Sequence, residues 1–298
     1  MTDALGARVA AALAAPVGGE VRAFAARLAE AGDALAVLFY GSNLRTGSLE
    51  GVLDFYVLLP GPVEKGIWPR VSYHEWECGG VVLRAKAATM TLATFRAAAA
   101  GKTLDTTIWA RFVQPSALAW RRDEAAAVQA RDAVASAAIT AARLAVALGP
   151  ESGPAEDYWR CLFRATYAAE FRVEKAGREE SILAANREHF SGLLPVALQA
   201  GGVDYADQGG VLRPAMPASE RKRIQRWWKK RRRLGKPYNL IRLVRASTTF
   251  DGAGRYAAWK IERHTGVPVE LTPWRERHPV LAAPGVMWRV WRAKRGMK

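Results

Sequence analysis

Two strand-length apolar runs around a Gly-Ser turn constrain this chain more than any other feature. Leu35 to Tyr40 (LAVLFY) stops at Gly41-Ser42, as a buried strand meeting a tight turn does. A polar loop, Asn43 to Gly51, leads to Val52 to Leu59 (VLDFYVLL), which Pro60-Gly61-Pro62 closes. The spacing predicts a hairpin-like strand pair, with Gly80 to Ala85 (GVVLRA) as a third strand. Helical spacing surrounds them. Val9, Leu13, Val21, Phe24 and Leu28 mark two short helices over residues 4–32, broken at Pro16 and Gly18-Gly19. Further helices are expected over 91–100, 125–148, 158–176 and 181–199. The class is therefore α/β of the α+β kind, a small mixed sheet with a helical second domain. Gly149 to Pro154 and the Gly/Pro-rich stretch 201–217 divide it into units at 1–150, 151–219 and 220–298.

The last unit stands apart in charge. The chain carries a net +16, yet residues up to Ser219 hold 22 basic and 23 acidic side chains, and those from Glu220 onward hold 22 basic and 5 acidic. Ten of the basic residues fall in RKRIQRWWKKRRRLGK, Arg221 to Lys236, around Trp227 and Trp228. The end of the chain repeats the theme in MWRVWRAKRGMK, with Trp288 and Trp291. Such a run is either a solvated helix face or a partner site for a polyanion. Nucleic acid would use the Trp rings for stacking. An anionic membrane surface would use them at the headgroup layer, with each Lys or Arg worth about 1 kcal/mol. Interleaved Trp and Arg favour the membrane surface.

A composition 50% hydrophobic and 24% charged excludes a disordered chain. No run approaches the roughly 18 apolar residues of a membrane span, since the longest, Ala135 to Leu148, contains Arg143. The first residues lack a basic leader followed by an apolar run, which argues against a secretory signal. Cys78 and Cys161 have no CxxC spacing, and the four histidines do not pair at ligand spacing, so a reducing cytoplasm is expected.

Chemistry is concentrated at Gly41-Ser42 and Asp54. Nucleotidyl transfer needs exposed backbone N–H groups and a small hydroxyl for a triphosphate, which a Gly-Ser turn offers. It needs a carboxylate for Mg²⁺ beside the α-phosphate, which Asp54 offers in mid-strand. A common turn followed by a surface Asp would show the same spacing. Polymerase-β-type nucleotidyltransferases place a second carboxylate two residues further on, where this chain has Tyr56.

Tyr40-Gly41-Ser42 followed by Leu53-Asp54-Phe55 resembles the mitochondrial-type CDP-diacylglycerol synthases (phosphatidate cytidylyltransferases), whose pattern reads YGS then LDF without the second acid. The resemblance continues in order over roughly residues 36–200. VLRAKAAT, Val82 to Thr89, is similar to the family's IKYGVIST and puts Arg84 at its lysine. WARFVQP, Trp109 to Pro115, looks like YxAGRLxKP and matches Arg111 and Pro115. TYAAEFRV, Thr166 to Val173, is similar to SYxGDxRM and puts Glu170 on the acid and Arg172 on the arginine.

The resemblance implies a nucleotidyltransferase core and a Mg²⁺-dependent transfer of CMP from CTP to phosphatidate or a related lipid phosphate, on the inner face of the membrane. It implies Asp54 and Glu170 as metal ligands, with Ser42 and Arg84 in catalysis. Gly41, Ser42, Lys86 and Arg111 would bind the nucleotide. Arg172, Trp227, Trp228, Arg231, Arg232 and Arg233 would meet the lipid phosphate or the membrane. The residues leave alternatives open. Glu170 could pair with Arg172 instead, Arg84 and Lys86 could form a solvated strand face, and Glu75 and Glu77 are other carboxylates within reach of a metal role. The competing reading is a nucleic-acid-binding protein on a degenerate scaffold, or transfer to RNA or protein.

Overall fold

Alternation along the central strands decides which side of the sheet each residue takes. A computed structural model describes residues 3–66, 70–169, 178–249 and 251–296. Glu170 and Arg172 lie outside the described residues.

Two helices, α1 (Asp3–Leu13) and α2 (Gly19–Gly32), precede strand β1 (Ala36–Tyr40). A single turn of helix, α3 (Ser42–Thr46), joins β1 to β2 (Leu53–Leu59), so the expected strand pair is present with a helical turn in its loop. Next come β3 (Arg70–Cys78), β4 (Val81–Thr91), α4 (Leu92–Ala99), α5 (Thr107–Phe112) and β5 (Ser116–Arg121). The five strands form one mixed sheet in the order β3-β4-β2-β1-β5, in which β2 and β4 run parallel and the other neighbours antiparallel.

Val37, Phe39, Phe55, Val57, Ala85 and Ala87 take one face and bury Val21, Phe24 and Leu28 of α2. Ala36, Leu38, Tyr56, Leu58, Ala88 and Met90 take the other and share a core with α4, α5 and α6 (Glu124–Leu148). The alanine enrichment of α6 has a packing reason. Alanine is the best helix former and leaves no bulk, so α1, α4, α5 and α7 (Ala155–Ala169) all approach one helix.

Three short helices follow, α8 (Arg178–Ala185), α9 (Arg187–Phe190) and α10 (Leu193–Ala200), where the sequence predicts one over 181–199. The Gly/Pro-rich stretch is a small hairpin, β6 (Tyr205–Gln208) and β7 (Val211–Pro214). The basic segment is one helix, α11 (Ala218–Thr249), which runs on through Pro237. It crosses α7 so tightly that a Cβ on Gly235 would stand 2.5 Å from the carbonyl oxygen of Ala169. The chain continues through α12 (Ala253–Thr265), α13 (Pro273–Arg277) and α14 (Pro279–Gly296). Among the described residues no helix is long and apolar enough to cross a membrane.

Candidate active site

Strand register assembles the site. Tyr73, Lys86, Asp54, Tyr40 and Ser116 are successive partners across all five strands. Strand alternation points this row toward the helical core, with Asp54 at its centre. At the end of β1 the backbone of Gly41 has φ +96°, a conformation that side chains rarely adopt. A Cβ there would also stand 3.3 Å from Oδ2 of Asp54. The glycine is thus needed twice, for the turn and for room beside the carboxylate. Asn43 secures the following loop, donating from Nδ2 to the carbonyls of Ser48 and Glu50 at 2.8 Å each. The Ser42 side chain stays exposed at the turn.

Burial pushes the Asp54 carboxyl above the ordinary carboxylate range, while Lys86 and Arg111 pull it back. Burial likewise lowers the Lys86 ammonium, and the charge of Asp54 resists this. Arg111, on α5, donates to the Tyr40 hydroxyl at 2.7 Å and stacks 4.8 Å above that ring. Tyr40, Asp54 and Arg111 border a cleft of about 330 Å³. Gly41, Ser42, Arg45 and Asp54 form its sheet side, and Arg111, Gln114, Phe163 and Tyr167 close it from α5, the loop after it and α7.

Of the residues expected in a site, Gly41, Ser42, Asp54 and Arg111 therefore share one cleft, and Lys86 adjoins Asp54 from the next strand. Arg84 lies elsewhere. Its Nε is 3.3 Å from Glu75 and its guanidinium 5.5 Å from the Trp259 ring. Arg84 is thus not among the residues that line the cleft, and it faces Glu75 across the strand pairing. That pair, with the Tyr73 hydroxyl on Glu75 at 2.9 Å, also occupies the carboxylate considered as another metal ligand.

The basic segment needs a correction. Trp228 is 4% exposed and its ring lies 6.2 Å from that of Trp109. Trp227 donates from Nε1 to the carbonyl of Gly101. Arg231 is 8% exposed and donates to the carbonyls of Gly101 and Thr103, with its guanidinium 3.7 Å from the Trp227 ring centroid. Two indoles gain more from burial against Trp109 than at a surface, and the loop after α4 takes from Trp227 and Arg231 the donors that its Gly101 and Thr103 carbonyls need. These three side chains anchor α11 inward, with Trp228 and Arg231 buried away from any membrane or nucleobase and Trp227 partly buried beside them. Arg232 and Arg233 remain exposed. Among the described residues the large exposed aromatics are Trp274, Trp288 and Trp291, and with Leu281 and Met287 the last two lie on α14, whose Val286 and Val290 turn inward.

Sequence reasoning missed Arg45, whose only signal was its place one turn after Ser42. It also missed the pair Arg242–Asp105 at 3.1 Å, which pins α11 beside Thr107 of α5. Nothing local marks residues 137 apart as partners.

The donors present suit Mg²⁺ of one kind. Asp54 and Ser42 offer hard oxygen atoms on one cleft wall, while no cluster of three metal-binding side chains occurs among the described residues. Mg²⁺ is commonly held by one or two carboxylates together with substrate phosphates, and this set fits an ion that arrives with a triphosphate. Compared with known proteins, the chain matches no family model and no curated sequence.

Proposed function

We propose that the cleft is the active site of a nucleotidyltransferase that moves CMP from CTP to a lipid phosphate, phosphatidate or a close relative. A phosphate oxygen of the acceptor attacks the α-phosphorus, the bond to the β-phosphate breaks, and pyrophosphate leaves with a CDP-lipid as product. The observation that carries this reading is the pairing of Tyr40 with Asp54, which sets the carboxylate against the Gly41-Ser42 turn inside a cation-lined cleft.

Gly41 and Ser42 cradle the triphosphate with backbone N–H groups and a hydroxyl, and Arg45 and Arg111 neutralise its charge. Asp54 and Ser42 would hold Mg²⁺, which supplies charge neutralisation at the phosphates. Tyr40 orients Arg111 through its hydroxyl and ring. Tyr56, where a second acid would stand, is 1% exposed and packs edge-on against Phe112. A single-carboxylate strand suits an acceptor that needs no general base, since a phosphate monoester is largely ionised at neutral pH. Positioning and charge neutralisation are what the protein supplies.

Docking on the cytoplasmic membrane face falls to the exposed aromatic side of α14, with Arg289 and Arg292, and to Arg232 and Arg233 of α11. Pyrophosphate release, measured over four nucleotides and several lipid phosphates, tests the proposal. Release with CTP and phosphatidate, abolished by Asp54→Asn, is the expected result. Retained activity in that variant removes Asp54 from the mechanism. Binding of RNA in place of phosphatidate-containing vesicles, at one salt concentration, would favour the nucleic-acid reading instead.

A further inference from the structure

The cleft accounts for only one side of Asp54. Tyr40 and Arg111 stand on that side, whereas Lys86, the partner of Asp54 on β4, is not among the cleft's lining residues. Over Lys86 runs α12, whose position three contacts fix. The Tyr256 ring lies 5.4 Å from that of Tyr73, the partner of Lys86 on β3. The Trp259 ring has the guanidinium groups of Arg84 and Arg263 over it at 5.5 and 5.3 Å. Nη1 of Arg263 comes within 3.0 Å of where a Cβ on Gly51 would stand, at the entry to β2. Tyr256, Lys260 and Arg263 recur at helical spacing and share one face. Lys260 therefore sits between an anchor over Tyr73 and an anchor at Gly51, above the strands that carry Lys86 and Asp54. It is exposed, and neither Lys260 nor Lys86 forms a salt bridge among the described residues.

We infer that Lys86 and Lys260, with Arg263 at the rim, form a second anion subsite on the α12 side of Asp54, and that it takes the phosphate monoester of the acceptor. The inference rests on the nucleotidyltransferase reading for the role of that anion. In an in-line displacement the attacking and leaving oxygens stand on opposite sides of the phosphorus. The row supplies this arrangement. Lys86 and Tyr40 flank Asp54 on either side, two strand spacings or about 10 Å apart, and with Arg111 held on Tyr40 one cationic group serves each end. A monoester carries between one and two negative charges near neutrality, and two compact ammonium groups match it without demanding the fixed bidentate geometry of arginine.

Isothermal titration of the full chain tests the subsite, using three probes: CTP with Mg²⁺, soluble dihexanoyl phosphatidate, and glycerol 3-phosphate. The last two separate a need for acyl chains from recognition of phosphate alone. Lys260→Gln is expected to weaken monoester binding about tenfold, the loss of one charge-assisted contact, while CTP affinity moves less than about twofold. Lys260→Arg restores binding. A wild-type chain that binds neither monoester overturns the inference, as does a Lys260→Gln variant that leaves monoester affinity unchanged or weakens CTP equally. Pyrophosphate release separates the two claims. A chain that binds both CTP and monoester but releases none loses the proposed reaction and keeps the subsite.

Discussion

Replacing Arg231 by alanine distinguishes an internal anchor from a membrane contact. The guanidinium donates to two carbonyls, those of Gly101 and Thr103, and covers the Trp227 ring at 3.7 Å. Hydrogen bonds to a charged group are worth about 1.5–3 kcal/mol each, and a desolvated cation–π contact about 2. Against these stands the burial of the charge, which disfavours the ionised guanidinium. The balance is a loss of about 3 kcal/mol, because the Thr103 carbonyl loses the guanidinium and that of Gly101 is left with the longer bond from Trp227 Nε1. For a chain of this size that corresponds to a fall in Tm of roughly 5 °C. Arg232→Ala and Arg233→Ala, at exposed positions, are expected to change stability by no more than about 0.5 kcal/mol. Thermal unfolding followed by circular dichroism provides the comparison, with vesicle flotation on the same samples. An Arg231→Ala protein that melts within about 1 °C of the wild type but no longer floats with anionic vesicles would refute the anchoring argument.

Three further outcomes follow from the geometry. Gly41→Ala forces φ +96° on a residue with a Cβ and presses it toward Asp54, so it should cost about 1–3 kcal/mol and abolish pyrophosphate release; an unchanged Tm counts against the strained turn. The Asp54 carboxyl titrates above its ordinary range in the fold, so ionisation destabilises the folded state as pH rises above about 4. Asp54→Asn, which cannot ionise, should therefore melt above the wild type at pH 7, with the gap closing near pH 3.5; parallel Tm curves across that range would reject the assignment. Trp288→Ala with Trp291→Ala, both more than half exposed, should reduce partition into anionic vesicles severalfold and leave Tm within about 2 °C; unchanged flotation removes α14 from docking.

The strand pair around Gly41-Ser42 was legible because its information is local, an apolar run ending at a turn residue that the backbone requires. The long helices, the mixed α and β content and the facing of Asp54 toward the turn followed from the same periodicities. β3 and β5 escaped because an edge strand gives a weak pattern: β3 carries the polar His74, Glu75 and Glu77, and β5 is six residues long. Trp227 and Trp228 misled for a different reason. In sequence they are surrounded by charge, but a helix returns every third or fourth residue to one face, and their face turns toward Trp109. Arg84 and Lys86 looked equivalent on one strand face, and only Glu75 across the pairing with β3 separates their surroundings. Lys260 and Arg242 carried no signal at all, since their neighbours come from distant parts of the chain.

The tight crossing at Gly235, with Trp228 locked beneath it, gives the cation-rich helix no independence from the rest of the molecule. It is a strut whose outer side is charged and whose inner side completes the hydrophobic interior. Cutting the chain ahead of it would not free an independently folded half; it would leave Trp109 and α7 uncovered and take the scaffold down with it.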